Sequence, residues 1–352
     1  VISRATYCTR EDVNNVMGVT QSSRAYPAID RAIETATRNI DKRCHRTFHP
    51  SIDTREFLWP DPNSSARSWR VWLDDNELVS ATTVTSGGTV IGSDGYYLEP
   101  QASGPPYNRI ETNLGSSSAF SSGPATQQRA LSILGLYGYD DITRAVTTLA
   151  GALASVGGSL LTVAEGSQIG VGDLVKIGSE RLVVTGRSWA TTGQSLLTPV
   201  TASAASVSLA VTDGSAFGAG ETLTLDSEQV LIVDVIANTL VVQRAVNATV
   251  LAAHTGSTIY APRTLMVQRA ANGTAAATHA AAATVSRQIV PAPVHSLAVA
   301  ESIVELQQAD SGYARLAGTF ESARVIGPGP GLNDLRDMVV GGYQRRARTR
   351  AV

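Results

Sequence analysis

The sequence predicts an α+β protein, with helices towards both ends and an all-β, internally repeated domain inserted between them. Three observations predict it. Apolar residues recur at helical spacing over 29–44 and again over 294–308. From Thr54 onward the period changes to that of strands. Within 150–287, stretches of sequence occur twice. The expected division is 1–149, 150–287 and 288–352.

The first helix is expected after Thr9, an N-cap residue with Asp12 three positions on, the spacing of a capping box. Val13, Val16 and Met17 give it a short apolar face, and Gly18 ends it. Ser22 or Ser23 restarts the helix, with Pro27 in the first turn where its missing N–H costs little. Ile29, Ile33, Ala36, Ile40 and Cys44 then form one stripe. A single amphipathic helix cannot bury such a stripe, so it needs a partner.

Strands are expected at 55–59, 69–73, 81–85, 96–100, 107–111 and 129–139, with Gly87-Gly88 as a hairpin turn. Trp69 and Trp72 read as core packing or as a subunit contact. Val163-Ala164-Glu165-Gly166-Ser167 returns as Val211-Thr212-Asp213-Gly214-Ser215, and Ser179-Glu180 as Ser227-Glu228. A second repeat aligns Leu240–Ala245, Asn247, Thr249 and His254 with Leu265–Ala270, Asn272, Thr274 and His279. Turns separated by β-branched runs imply small sandwich- or barrel-like units. The Ala/Thr/Gly-rich stretches 147–158 and 275–284 read as linkers around the insertion.

Helix resumes after Pro291 and Pro293 with Leu297, Val304 and Gln308 on one face. Gly327–Gly331 is a break. Leu332, Leu335, Met338 and Val339 then make a brief amphipathic stripe.

Composition excludes several functions. A net charge of -2 gives no global field for nucleic acid or anionic membrane. Four arginines at 345, 346, 348 and 350 make one local field, which suits an acidic protein partner, DNA phosphates or a solvated tail. No leader is recognised at Val1-Ile2-Ser3-Arg4, and no apolar run approaches the ~20 residues of a membrane span. A soluble product of the cytosol, with Cys8 and Cys44 as buried free thiols, is expected. No phosphate-binding loop or nucleophile elbow is present. Cys44, His45 and His49 cluster without a fourth ligand, so no metal is expected. His254 and His279 read as equivalent loop positions of a duplicated fold. No catalytic residue or cofactor is expected, and the chain reads as a non-enzyme.

The Thr9-x-x-Asp12 start, the Ile29–Ala36 helix with its Cys44-x-Arg46-x-Phe48 exit, Leu98-Glu99-Pro100, Pro106–Ile110 and Leu134–Tyr139 occur in an order that resembles head-to-tail connector (adaptor) proteins of tailed bacteriophages. Leu332-x-Asp334-Leu335-Arg336 and Tyr343–Arg346 fit the same pattern. Ile177-Gly178-Ser179-Glu180 further resembles a β-module of phage connector and tail proteins. The second copy departs from it to Leu225-Asp226-Ser227-Glu228, and has Arg244-Ala245 where Arg-Gly is usual.

The resemblance implies a virion protein made in the host bacterial cytoplasm, forming a homododecameric ring beneath the portal. Genomic DNA would pass non-specifically through the ring, and a tail-connector protein would lie below. It implies a helical bundle with β-excursions, with Ile29, Ile33, Ile40, Leu297 and Val304 in its core. It also implies portal docking through Leu332, Leu335, Met338, Val339, Tyr343, Arg345 and Arg346. Two other readings stand beside it: a β-module protein binding carbohydrate or a cell surface, and a DNA-binding protein acting through the arginine-rich tail.

Overall fold

The computed structural model describes residues 2–17, 26–60, 67–123, 126–310, 316–317, 324–325 and 330–345. Gly18, Ser22, Ser23, most of the Gly327–Gly331 break and Arg346, Arg348 and Arg350 lie outside them. The chain forms two compact units, each discontinuous in sequence. One comprises Val1–Arg38, Thr143–Ala271 and Ala275–Arg336; the other comprises Asn39–Ile142, Asn272–Thr274 and Asp337–Val352.

The expected helical bundle is overturned. Among the described residues strand outweighs helix, 36% against 21%, and three apolar cores consist of strand and loop residues. Helix α1 (Arg10–Met17) starts with the expected capping box: Thr9 N–H donates to Asp12 at 2.8 Å and Asp12 N–H to the Thr9 hydroxyl at 3.1 Å. Helix α2 spans Tyr26–Cys44, and the unit boundary passes through it. Its stripe residues Ile29, Ile33 and Ile40 are buried.

In the unit that contains Asn39–Ile142, β1 (Ser51–Phe57), β3 (Leu78–Ser86), β4 (Thr89–Ile91) and β7 (Leu131–Tyr137) form a sheet ordered β1-β7-β3-β4. Strands β2 (Arg70–Trp72), β5 (Tyr96–Glu99) and β6 (Arg109–Thr112) form a second, ordered β2-β6-β5. Both share one core around Val71, Leu73, Leu78, Ile110, Leu131 and Ile133. Trp72 is half-buried, and the Arg70 and Arg109 guanidiniums lie over its ring at 5.9 and 5.4 Å.

The other unit holds a ten-stranded sheet built from β8 (Thr143–Thr148), β9 (Leu160–Thr162), β10 (Leu174–Ile177), β11 (Glu180–Ser195), β12 (Ser208–Ala210), β13 (Thr222–Leu225), β14 (Glu228–Ile236), β15 (Thr239–Gln243), β16 (Thr258–Gln268) and β17 (Thr284–Gln288). The repeats expected from sequence reappear in its register. In β10–β11, Leu174 faces Val183 and Ile177 faces Glu180; in β13–β14, Thr222 faces Leu231 and Leu225 faces Glu228. In β11–β16, Val184 faces Val267 and Gly186 faces Met266; in β14–β15, Ile232 faces Val242 and Asp234 faces Val241. Even the bulge recurs, skipping Thr185 in one ladder and Val233 in the other.

These registers define two modules, each with its own core. One core holds Leu161, Val163, Val175, Ile177, Leu182, Val184, Leu265 and Val267. The other holds Leu209, Val211, Leu223, Leu225, Val230, Ile232, Leu240 and Val242 in the same order. In the second module the turn Ala237-Asn238 closes the β14–β15 hairpin. At the matching point of the first module, β11 and β16 run on instead and carry the whole second module between them. The second module is therefore nested in a hairpin tip of the first. Pro262, which has no N–H to donate, lies at the irregularity where the ladder passes from one module to the other.

The stretches read as linkers belong to the first module. Leu149 and Leu153 lie in its core, β8 pairs β17, and Leu153 bridges to His279. Their small residues disguise strands and tight loops. Helix α3 (Ala292–Asp310) then buries Val294, Leu297, Ala298 and Ser302, while Val304 is half-buried. A short ribbon of β18 (Leu316–Ala317) and β19 (Arg324–Val325) and helix α4 (Pro330–Tyr343) follow.

Ala245 and Ala270, which follow the two repeat arginines, adopt φ values of 51° and 54°. An L side chain is strained in this left-handed region and glycine is not. Ala245→Gly and Ala270→Gly are each expected to stabilise the protein by about 1 kcal/mol, additively, since the left-handed penalty is ~1–2 kcal/mol per residue. Urea unfolding midpoints check this.

Candidate functional site

The hairpin of each module places a buried carboxylate at the start of a strand. Glu180 opens β11 just after the turn Gly178-Ser179, and Glu228 opens β14 just after Asp226-Ser227. The first turn residue has positive φ in both, 59° at Gly178 and 52° at Asp226. Neither glutamate side chain has solvent exposure (0% each). Glu180 accepts from Arg269 Nε and Nη2 (2.7 Å each), Ala270 N–H (3.1 Å), Ala277 N–H (3.0 Å) and His279 Nε2 (2.8 Å). Glu228 accepts from Arg244 Nε and Nη2 (2.7 and 2.8 Å), Ala245 N–H (3.0 Å), Ala252 N–H (2.9 Å) and His254 Nε2 (2.9 Å).

The arginines reach onward to loop carbonyls: Arg269 to Ser155 and Gly158, Arg244 to Thr201 and Ser206. One bidentate ion pair thus ties a strand start, a strand end and two loops together. Burial pushes each carboxyl up. The arginine, two backbone N–H groups and the histidine outweigh it and hold both down to about 2. The second module adds a link: His254 Nδ1 meets Asp226 at 2.8 Å, and Ser257 donates to Asp226 at 2.7 Å. Glycine at 178 leaves no counterpart in the first module.

Between the modules, Glu221 takes a bidentate pair from Arg263 (2.9 and 2.7 Å) and an N–H from Gly166 (3.2 Å). Arg187 donates to the Gly166 and Pro262 carbonyls at 2.7 and 2.9 Å. The N-terminal segment docks on the first module beside this network. Thr6 N–H donates to Gly172 O at 2.9 Å, Arg10 N–H to Val171 O at 3.0 Å, and Val171 N–H to Glu11 at 2.7 Å. Ile2 and Ala5 join an apolar cluster with Val171, Leu174 and Val183. A Cβ on Gly172 would overlap the Thr6 hydroxyl, so this close approach requires glycine.

Helix α3 closes over the segment: the Cys8 thiol lies 3.8 Å from the Ser302 hydroxyl, and His295 Nε2 lies 3.1 Å from Asp12. Beneath it, burial pushes Asp173 up to about 7; Arg287 and the Gly170 N–H oppose this, and Asp12 and Glu11 add to it. A cleft of roughly 150 Å³ opens beside the segment, lined by Asn15, Tyr26, Trp189 and Thr222 among others.

The C-terminal candidates fall in both units. Leu332 and Leu335 are half-buried, and Arg336 beside them pairs with Glu301 at 2.8 Å. Met338 is 61% exposed, whereas Val339 is fully buried. Tyr343 packs edge-on against Phe48 and Tyr139, each centroid 6.0 Å away. Arg345 N–H donates to Cys44 O at 2.9 Å, and its side chain pairs with Asp75. Both cysteines are buried and free. Among the described residues, no group of three or more His, Cys, Asp or Glu is arranged to hold a metal, and no helix is long and apolar enough to cross a membrane.

Comparison with protein families, with curated proteins and with solved structures finds no match.

Glu228→Gln removes the charge and leaves Arg244 buried without its counter-ion, so a loss of about 3–5 kcal/mol at pH 7 is expected. In the wild type two opposed pH slopes are expected. The contribution of Glu180 and Glu228 is complete above about pH 4.5 and is lost as pH falls towards about 2, because their folded pKa lies below the unfolded one. Asp173 acts in reverse: its raised pKa makes stability fall as pH rises from about 4 to about 7. Asp173→Asn should abolish that second slope and leave the acid one. Urea unfolding as a function of pH reads both.

Proposed function

We propose that this protein is a structural adaptor of the head-to-tail connector type, a ring-forming virion component that docks a portal protein through its C-terminal helix and performs no turnover. The observation that carries this reading is how segments distant in sequence are tied together. Residues 2–17 are held by α3 through Cys8–Ser302 and Asp12–His295. The exit of α2 is held by the end of α4 through Cys44–Arg345 and Phe48–Tyr343. A chain that ties its distant segments together and carries its β-modules as an insertion offers distinct surfaces on one protomer. Rings need this, because their interfaces join two different patches.

Three further features support the reading. The buried charges are consumed in fixing loops. The net charge of -2 would let DNA slide through a channel without capture. On α4, Leu332 and Leu335 are half-buried and Met338 is exposed, and basic residues follow in the sequence. Val339 and Tyr343 then act by holding α4 in place rather than by touching the portal.

Native mass spectrometry of the protein, alone and mixed with the portal protein encoded by the same genome, tests this. A discrete ring or a portal-bound complex is expected, with Met338→Asp weakening capture at least tenfold. A monomer that fails to join the portal would refute the proposal.

A further inference from the structure

The cleft beside α1 has an unusual division of its polar groups. Every charged side chain on its wall already has a partner. Arg10 is bidentate to Asp30 at 2.9 and 3.0 Å. Arg187 is spent on the Gly166 and Pro262 carbonyls and lies 3.7 Å from Glu11. Glu11 accepts the Val171 N–H, and Glu221 is closed by Arg263 and Gly166.

The neutral groups are the ones left over. The Asn15 amide, the Thr222, Ser167 and Ser188 hydroxyls, the Tyr26 phenol and the Trp189 indole N–H all line the cleft. None of these side chains makes a hydrogen bond to another described residue. Trp189 is 43% exposed although it carries the largest apolar surface of the wall. It stands at the irregularity of the β11–β16 ladder opposite Pro262-Arg263, where the pleat is broken and a side chain can be re-aimed. Tyr26 is fixed by the Arg10 guanidinium, 4.2 Å from its ring centre. Burial first, and Glu11 in addition, keep its phenol protonated as a donor against the pull of Arg10.

Paired charges resist a charged ligand, because binding one would strip an existing ion pair. Free neutral donors and acceptors around an exposed aromatic face suit a ligand with many hydroxyls and one apolar face. We propose that this cleft is a binding site for a neutral saccharide, with Trp189 as the stacking platform and Asn15 and Thr222 as hydroxyl-reading groups. At roughly 150 Å³ the cleft takes one sugar ring, the end or a branch of a glycan rather than a long stretch. The site is independent of the adaptor reading: a virion component with such a cleft would carry a glycan contact in addition to its assembly role.

Saturation-transfer NMR on the full chain tests the proposal, with methyl glycosides of glucose, galactose, N-acetylglucosamine and rhamnose as probes and glucuronate as the charged comparison. At least one neutral glycoside is expected to bind with a millimolar Kd. Trp189→Ala should weaken it about tenfold or more. Asn15→Ala, a change at an exposed helix position that leaves the fold intact, should weaken it several-fold, and Trp189→Phe should retain most of the binding. Three outcomes would overturn the assignment: no binding by any neutral probe, glucuronate binding as well as they do, or binding indifferent to both Trp189→Ala and Asn15→Ala.

Discussion

Two glutamates without solvent contact, Glu180 and Glu228, hold the architecture together. A buried carboxylate is tolerable only if its lone pairs are filled, and each here is filled by an arginine fork, a histidine and two backbone N–H groups. Those donors lie 16–26 residues from Glu228 and 89–99 residues from Glu180. Satisfying the charge therefore fixes the loops that a small β-module would otherwise leave loose. Short strands such as β9, β12 and β13 supply little ladder of their own, and a module of this size gains its single conformation from a fully satisfied polar centre together with its apolar core.

The same device allows one module to sit inside another. A hairpin tip is a tolerant place for insertion because its two ends are adjacent. The second module enters and leaves through β11 and β16 as one continuous ladder. The Arg263–Glu221 pair and the contacts of Arg187 to Gly166 and Pro262 then stop the modules from rotating about that ladder. Nesting makes both chain ends of the duplicated region leave from the first module.

Much of this was legible in the sequence. The alignment of Ser179-Glu180 with Ser227-Glu228, and of Arg244 and His254 with Arg269 and His279, marks as repeated each of the three side chains that meet in each module. Their contact was hidden because the two repeats are interrupted differently: a two-residue turn separates the halves in one module, and an entire module separates them in the other. The stretches 147–158 and 275–284 misled for a compositional reason, since alanine, threonine and glycine look the same in a linker and in a tight loop beneath an arginine. The helical bundle failed because the amphipathic stripe of α2 states that a partner is needed without stating which. The Thr9–Asp12 capping box, a purely local interaction, is legible in the sequence and formed in the structure. The cleft was not foreseen, because Asn15, Trp189 and Thr222 come together only through the docking of α1 and the nesting of the modules.

Hydrogen exchange at four backbone amides tests the central claim most directly. Ala245, Ala252, Ala270 and Ala277 lie outside the strands, yet each donates to a buried glutamate. Their exchange should be as slow as that of the neighbouring β11 and β14 amides and should match between the two modules. Exchange at the rate of exposed loops would mean that the carboxylates do not organise the modules, and the account built on them would be wrong.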